Sequence, residues 1–534
     1  MQDVLLSIDV GTASLRSALV SPDGKILAKD IRPLKLWQSS GRMEQSSDDI
    51  YNSLITSVGQ LLAQYPFSVT VQGIGIDATA SQVLLDQNLK PLNLPENPEA
   101  NILGWMDHRA QEQSVLINER FKKPGIHQAA PSKQIPEMCL SKILWLKQIH
   151  PEHWSKCALI LDLYDFLTWK LTGIITRTPC SMVTRESTEV LETLGINNPG
   201  LKQGEMLSIG APIPGGLTVS SANALGLTAG TPVATGIVDG LGGSLAVLGP
   251  VNSKETQNRL ENRLSMIVGT STIYIASSPT AQTIMGTWGP IPSVLEGYYH
   301  NIVGQSAAGA LIDHLITGHP AFSIAQKEAE GNNSTIYEFL NDTLKAMTEG
   351  SKKLSQLTHD IHLLPYFVGN RCPRLDMSLK GMIAGLRLDQ SIESMALSYL
   401  ACIQAIALGA RHNIELLREQ GYCFTELRPC GGLAKNPLFV HEHVNAIGIP
   451  ANMPEEPDAM LLSGALAASV ACGIHPSMEK AMEAMSRQKG IVTPDASLKD
   501  YYDKKYRVFL ELYEDQEKYR RIMNQDIQIQ KSLT

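Results

Sequence analysis

The chain has no Gly-x-x-x-x-Gly-Lys-Ser/Thr loop, so the commonest backbone cradle for nucleotide phosphates is missing and a P-loop enzyme is disfavoured. It has no Gly-x-Ser-x-Gly elbow, and Cys180-Ser181 has no placed base nearby, which leaves nucleophilic hydrolysis little to stand on. Metal-ligand spacing is equally scarce. The eight cysteines are scattered, the closest two (Cys423 and Cys430) lie seven apart, and His441-Glu-His443 sets its imidazoles at i, i+2, off a common helix face. Cys402 and Cys472 sit in apolar runs, where a buried small hydrophobe is the ordinary role. Lysine and arginine total 45 with no long basic run, and the net charge is -8, so an extended nucleic-acid surface is not expected. The cluster Lys504-Lys505 with Arg507 reads as a solvated helix face. No uninterrupted apolar stretch approaches the length that spans a membrane, and no basic-then-apolar leader is visible. A soluble, reducing, cytoplasmic setting without membrane or nucleic-acid partners is the expectation.

What is present is a pair of carboxylates, each in a turn of small residues. Asp9 stands in Leu6-Ser-Ile-Asp-Val-Gly-Thr-Ala-Ser14, and Asp239 in Thr235-Gly-Ile-Val-Asp-Gly-Leu-Gly-Gly243. Each follows an apolar run of strand length, so each acid is delivered beside a glycine-lined space large enough for phosphate. A carboxylate at the second point can take a proton from a hydroxyl that attacks phosphorus, a transfer that needs in-line placement and charge neutralisation more than a strong base. A helix-capping aspartate is the alternative for Asp239, but Gly242 and Gly243 make a poor helix start.

The chain is too long for one core, and two large domains are expected. The opening reads β-β-β-α-β: strands at 4–8, 15–19 and 25–30, a helix from Ser47 to about Leu62, and a strand from Val69 to Ile76 ending at Asp77. Asp9 and Asp77 thus stand at carboxyl ends of strands, where open sheets bind ligands. Strand, turn and strand recur at Leu264–Val268, Gly269-Thr-Ser-Thr272 and Ile273–Ala276, an offset of 258 residues from the first copy. The recurrence suggests a duplicated domain with a cleft between copies and a boundary near residues 249–262. Gly304 is expected to open a helix to Ile316, and helices are expected at 392–419, 437–447 and 460–472. A charged helix is expected from Tyr501 to Lys531, away from any active site.

Gly11, Thr12 and Ser14 make a donor-rich turn for phosphate oxygens, although an ordinary hairpin turn fits the same string. Two further turns, Gly269-Thr270-Ser271 and Gly431-Gly432, give three strand ends able to cradle one extended triphosphate. In Trp105-Met-Asp-His-Arg109, an extended backbone would put Trp105, Asp107 and Arg109 on one face, suited to a polyol; a salt bridge beside a half-buried indole is the plainer reading.

With these segments collected, the chain resembles the FGGY carbohydrate kinases of the ribonuclease H/actin-like superfamily over about residues 3–485, and is most similar to pentulose kinases acting on D-ribulose or ribitol-like substrates. The most specific stretch is Gly369-Asn-Arg-Cys-Pro-Arg-Leu-Asp-Met-Ser-Leu-Lys-Gly381, which looks like the family's second signature. The resemblance implies an α/β fold of two duplicated ribonuclease H/actin-like domains with the catalytic cleft between them. It implies residues 1–254 as the sugar-binding and catalytic domain, 255–485 as the nucleotide-binding domain, and 486–534 as a helical extension. It also implies ATP and Mg2+ as cofactors and a small sugar or polyol as partner, phosphorylated on a terminal hydroxyl, with D-ribulose foremost. Ribitol, L-ribulose, xylulose and glycerol, or a non-catalytic nucleotide sensor or scaffold, are the alternatives.

By the same resemblance Asp239 is the catalytic base, and Asp9 and Asp239 lie by the metal. Gly11, Thr12, Ser14, Gly269, Thr270, Ser271, Gly431, Gly432, Leu433 and Asn436 match phosphate and nucleotide positions, with Gly304 and Gln305 in a segment approaching nucleotide. Ala80, Ser81, Trp105, Asp107, Arg109, Glu137 and Lys142 fall in segments facing sugar. Two departures stand out: Ala13 where the family's turn commonly has Gly or Thr, and Cys372 where pentulose kinases more often have serine. Apolar helices in the second half leave a homodimer open.

Overall fold

In a computed structural model the fold is described for residues 2–39, 41–122, 133–249, 259–348 and 353–532. The N-terminal sheet has five strands, β1 (Gln2–Val10), β2 (Ser14–Val20), β3 (Ile26–Pro33), β4 (Val69–Ala78) and β5 (Ile237–Val238), in the order β5-β4-β1-β2-β3. β1 to β3 are antiparallel neighbours, while β4 runs parallel to both β1 and β5. Residues Val4 to Val10 are all buried, the continuous apolar run of a strand covered on both faces.

The C-terminal sheet has seven: β6 (Arg263–Val268), β7 (Thr272–Ser278), β8 (Trp288–Pro292), β9 (Tyr299–Gln305), β10 (Glu426–Cys430), β11 (Ala451–Pro454) and β12 (Gln488–Val492), ordered β8-β9-β7-β6-β10-β11-β12. Its inner five, β9-β7-β6-β10-β11, repeat the order and directions of β3-β2-β1-β4-β5. The duplication expected from the 258-residue offset is therefore present in the sheets. The expected boundary between 254 and 255 lies outside the described residues.

Six helices matter below: α1 (Ser47–Gln64), α2 (Asp239–Leu248), α3 (Gly309–Thr317), α4 (Ile392–Glu419), α5 (Met460–Ala471) and α6 (Lys499–Ser532). α5 belongs to the second half of the chain but lies on β1 and β4 of the first, whereas α2 packs against α5 and reaches β6 and β10. The two halves thus exchange helices at their junction. α4 is long and apolar enough to cross a membrane, but 72% of its most apolar window is buried within the protein. It packs against α3 and against Pro437–Ile447 as a core helix.

Two expectations are corrected. Gly304 does not open a helix: it is strand, paired with Ile273 while Gln305 pairs with Thr272, and the helix begins five residues later at Gly309. Completing the sheet edge beside β7 overrides the glycine signal. Asp239, in turn, does open a helix despite Gly240, Gly242 and Gly243. A β-carbon on Gly242 would come within 2.7 Å of Ser463 Oγ, and one on Gly243 within 2.3 Å of Met460 Sδ. These glycines are needed for the close approach of α5, and that packing outweighs their low helix propensity.

Candidate active site

The acids meet at the junction. Asp9 on β1 is the register partner of Asp77 on β4, and Asp77 is that of Ile237 on β5, two residues before Asp239. Three neighbouring parallel strands therefore end on one cluster of carboxylates. Asp9 and Asp77 are buried, and Asp9 Oδ2 lies 3.3 Å from Arg16 Nε of β2. Burial pushes the Asp77 carboxyl well above the ordinary range, and the charge of Asp9 raises it further, while a hydrogen bond from Ser463 opposes both. Of the pair, Asp77 is therefore the carboxyl that favours the protonated form. Asp9 Oδ2 and Asp77 Oδ1 are both buried without a conventional donor, and the proton of Asp77 given to Asp9 satisfies the pair. Burial also raises Asp9, but the Arg16 guanidinium and the Asp77 hydrogen bond work against it. Asp239 is raised to about 6 by burial and then by Asp9, with the Gly240 N–H, which donates to Oδ1 at 2.7 Å, opposing. It is thus ionised at neutral pH yet able to accept a proton.

Asp239 lines a cavity of about 570 Å3 with walls from both halves. Gly11, Thr12 and Ser14 form one edge; the Gly11 N–H donates to Ser14 O at 3.0 Å and closes the turn. Gly269, Thr270 and Ser271 face them in a turn closed one residue sooner, Gly269 N–H to Ser271 O at 2.9 Å. Gly431 and Gly432 complete the wall; Gly431 has φ +98° and a β-carbon there would meet Val268 O at 2.3 Å, so only glycine fits. A second cavity, about 650 Å3, shares Gly269, Thr270 and Gly432 with the first and is bounded by Leu433, Asn436, Tyr337 and Asn341 of the C-terminal half. Asn436 caps the helix Pro437–Ile447 and bonds Asn341 and Tyr399, which fixes that wall. All three expected turns line the first cavity, and two of them, at Gly269–Thr270 and Gly432, stand where the two cavities join.

On the N-terminal side Ala80, Trp105 and Glu137 line the first cavity. The Trp105 indole N–H donates to Thr12 Oγ1 at 2.9 Å, tying this wall to the phosphate-type turn. Ser81, Asp107, Arg109 and Lys142 stand behind the lining. Ser81 Oγ accepts from the Trp105 N–H at 3.2 Å, and Lys142 Nζ donates to the Gly104 carbonyl at 3.0 Å. The 104–109 segment is turned, not extended, so Asp107 and Arg109 do not flank Trp105 on one face. Asp107 accepts from the Met43 N–H and from Arg109, whose Nη2 also donates to Glu44 at 2.5 Å and whose guanidinium lies over Trp145. The plainer reading of this segment, a surface salt bridge with a half-buried tryptophan, holds for the ion pair itself but not for its surface placement, since the pair is buried. Gly304 and Gln305 are also outside both cavities; Gln305 Nε2 donates to the Ile406 carbonyl at 2.8 Å.

Sequence reasoning did not single out Asp77 as a site residue, nor Arg16, Trp288 and Arg371, which line the first cavity. Asp77 carried a signal, a strand end matching that of Asp9. Arg371 lies inside the 369–381 stretch but had no sign of its partner, Glu137, 234 positions away. Glu137 Oε1 pairs with His108 Nε2 at 2.8 Å and Oε2 with Arg371 Nη2 at 2.5 Å. Although burial opposes ionisation, the charge of Arg371 and the hydrogen bond with His108 hold its carboxyl below the ordinary range. The oxygen chemistry of the junction, carboxylates of Asp9 and Asp239 with adjacent hydroxyls, suits a hard divalent cation that brings phosphate ligands of its own.

Comparison with known proteins fits this geometry. The profile of the FGGY family of carbohydrate kinases, N-terminal domain, matches residues 4–249, and that of its C-terminal domain matches residues 264–472. The FGGY carbohydrate kinase domain-containing protein of Homo sapiens is 36% identical, over 98% of each chain. A D-ribulokinase of Saccharomyces cerevisiae is 29% identical over 95% of this chain and 77% of its own. The crystal structure of a ligand-bound xylulose kinase from Lactobacillus acidophilus superposes with a TM-score of 0.75 at 16% identity, covering 96% of this chain and 98% of that one. The fold is the two-domain, actin-like one expected. The chain belongs to the FGGY family of carbohydrate kinases and is an ATP-dependent phosphotransferase acting on a sugar.

Proposed function

We propose that the protein phosphorylates the terminal hydroxyl of a five-carbon ketose, D-ribulose foremost, giving D-ribulose 5-phosphate in the cytoplasm. The observation that carries the reading is the placement of Asp239, ionised but raised to about 6, in a cavity lined by three glycine turns and joined at two of them to a second cavity of nucleotide size. The likeness to a yeast D-ribulokinase supports the choice of sugar. Residues 1–254 hold the sugar and 255–485 the nucleotide, which lies along Gly432, Leu433 and Asn436 with its phosphates at Gly11–Ser14 and Gly269–Ser271. Asp239 takes the proton of the sugar's O5 hydroxyl as that oxygen bonds to the γ-phosphorus. The bond from that phosphorus to the bridging oxygen breaks, and ADP leaves. Backbone N–H groups of the turns stabilise the transferring oxygens. Asp9 and Asp239 would hold Mg2+, which neutralises phosphate charge when bound. Closure of the halves excludes water that would otherwise consume ATP.

The test is sugar-dependent ADP production by purified protein across D-ribulose, L-ribulose, D-xylulose, ribitol and glycerol, with product analysis for the position of the phosphate. The highest kcat/KM is expected for D-ribulose, phosphorylated on C5. A higher value for another member reassigns the sugar, and nucleotide binding with no turnover on any of them overturns the enzyme reading.

A further inference from the structure

Arg371 belongs to the C-terminal half yet lines the cavity that holds Asp239. It is 2% exposed, and its guanidinium carbon lies 5.1 Å from the Trp105 ring centre and 4.7 Å from that of Trp288. One indole comes from each half, so the guanidinium is clamped across the junction. Nη2 donates to Glu137 Oε2 at 2.5 Å, again across the junction. Nε, by contrast, is buried with no acceptor. An unmade bond on a buried charged donor is costly, so a group that persists in this state calls for a ligand. Across the cavity Gln82 offers the complement: its Nε2 donates to the Ala80 carbonyl at 2.9 Å, while Oε1 is buried with no donor. A donor and an acceptor, both without partners in one cavity, are what a hydroxylated ligand satisfies. A phosphate fits worse, because Glu137 already neutralises the guanidinium.

We propose that Arg371 reads the sugar from the C-terminal half, its Nε–H donating to a sugar hydroxyl while Glu137 and the two indoles hold the guanidinium in place. This rests on the sugar-kinase reading above. It follows that the sugar site is complete only when the halves are together, so sugar occupancy favours the closed arrangement in which Asp239 faces the phosphates. Arg371→Lys is the informative variant, because lysine keeps the charge opposite Glu137 and removes the Nε–H. With the full chain and the best panel sugar, KM for sugar is expected to rise tenfold or more and KM for ATP to stay within twofold. The quenching of Trp105 and Trp288 fluorescence by sugar should shift to higher sugar concentration by the same factor. An unchanged sugar KM overturns the proposal, and so does an ATP KM that rises in step, which would give Arg371 to the phosphates. If Arg371→Lys lowers Tm sharply, Gln82→Met supplies the decision. It keeps the length of the side chain but removes the Oε1 acceptor, and a sugar KM insensitive to it overturns the pairing of the two groups. A wild-type protein inactive on the whole panel would sink the kinase reading instead, a result the variants do not share.

Discussion

The two sheets have one plan and opposite chemistry. In the N-terminal copy Asp9 is the register partner of Asp77; in the C-terminal copy the corresponding positions, Ile267 and Cys430, are partners in the same way. Across the hairpin Asp9 faces Arg16, while Ile267 faces Ile273. Both copies keep a glycine turn closed by a backbone bond, to Ser14 O in one and to Ser271 O in the other, so both can present N–H groups to phosphate. Only one copy carries the acids. Two acid pairs facing each other across one cleft would repel both one another and a triphosphate. A single acidic end opposed by a neutral glycine wall lets nucleotide approach on one side and leaves proton transfer to the other. Duplication supplied the frame, and the loss or gain of three ionisable side chains on three adjacent strands supplied the asymmetry.

The comparison breaks hardest at Asp239. Asp239→Asn keeps the shape and the Gly240 contact region but removes the proton acceptor, and kcat is expected to fall about 10²–10⁴-fold with sugar and nucleotide binding near normal. Steady-state kinetics beside a binding titration check this. Making the N-terminal pair resemble the apolar one is the next largest step. Asp77→Leu strips Asp9 of its donor, a loss of about 1.5–3 kcal/mol that corresponds to tens-fold in kcat/KM, whereas Asp77→Asn retains an N–H toward Asp9 and should stay within about fivefold. Equal effects of the two variants would remove the shared proton from the account.

A pH profile sharpens the same contrast. Because Asp239 must be ionised to act and its carboxyl is raised to about 6, activity should climb tenfold per unit below pH 6, reach a plateau above it, and stand about tenfold down at pH 5. Stability should run the other way. The folded state holds this proton to a higher pH than the unfolded chain, so ionisation begins to cost stability above about pH 4. The penalty grows to about 3 kcal/mol above pH 6. Asp239→Asn removes that penalty, and its Tm should exceed the wild-type value at pH 8 and approach it at pH 4. The apolar pair Ile267–Cys430 carries no such term.

Much of this was legible in the sequence where local chemistry is self-contained. A strand followed by Asp and a glycine turn marked Asp9 and Asp239, and the repeated turn at Gly269 marked the second copy. What was missed depends on partners far along the chain. Nothing near Asp77 says that it shares a proton with Asp9, since that requires knowing that β4 lies beside β1. Glycines before a run of small apolar residues read as a poor helix start at Asp239, although α5 needs them for contact. At Gly304 a glycine before small residues read as a helix start, although β7 needed a strand there. Trp105, Asp107 and Arg109 were grouped by spacing, but the turn at Gly104 sends the indole to the cavity and the ion pair behind it.

The smallest expected effect concerns a part of the C-terminal half with no counterpart in the first. α6 braces the outer side of the loop that delivers Arg371. Gln516 Oε1 accepts from the Lys380 N–H at 2.9 Å and its Nε2 donates to the Lys380 carbonyl at 2.5 Å, while Arg520 reaches Ser378 Oγ at 2.7 Å and Arg374 stacks on Tyr513. Gln516 is buried and touches neither cavity, so Gln516→Ala acts only through the loop. Losing its two bonds, each worth about 1 kcal/mol and partly replaced by water, should raise the sugar KM two- to fivefold and leave the ATP KM unchanged. Arg371 sits on the braced loop, whereas Gly269, Thr270 and Gly432 are held by β6, β7 and β10, so only the sugar side should feel the change. If both KM values rise together, α6 steadies the whole C-terminal half, and the loop has no separate part in holding the sugar.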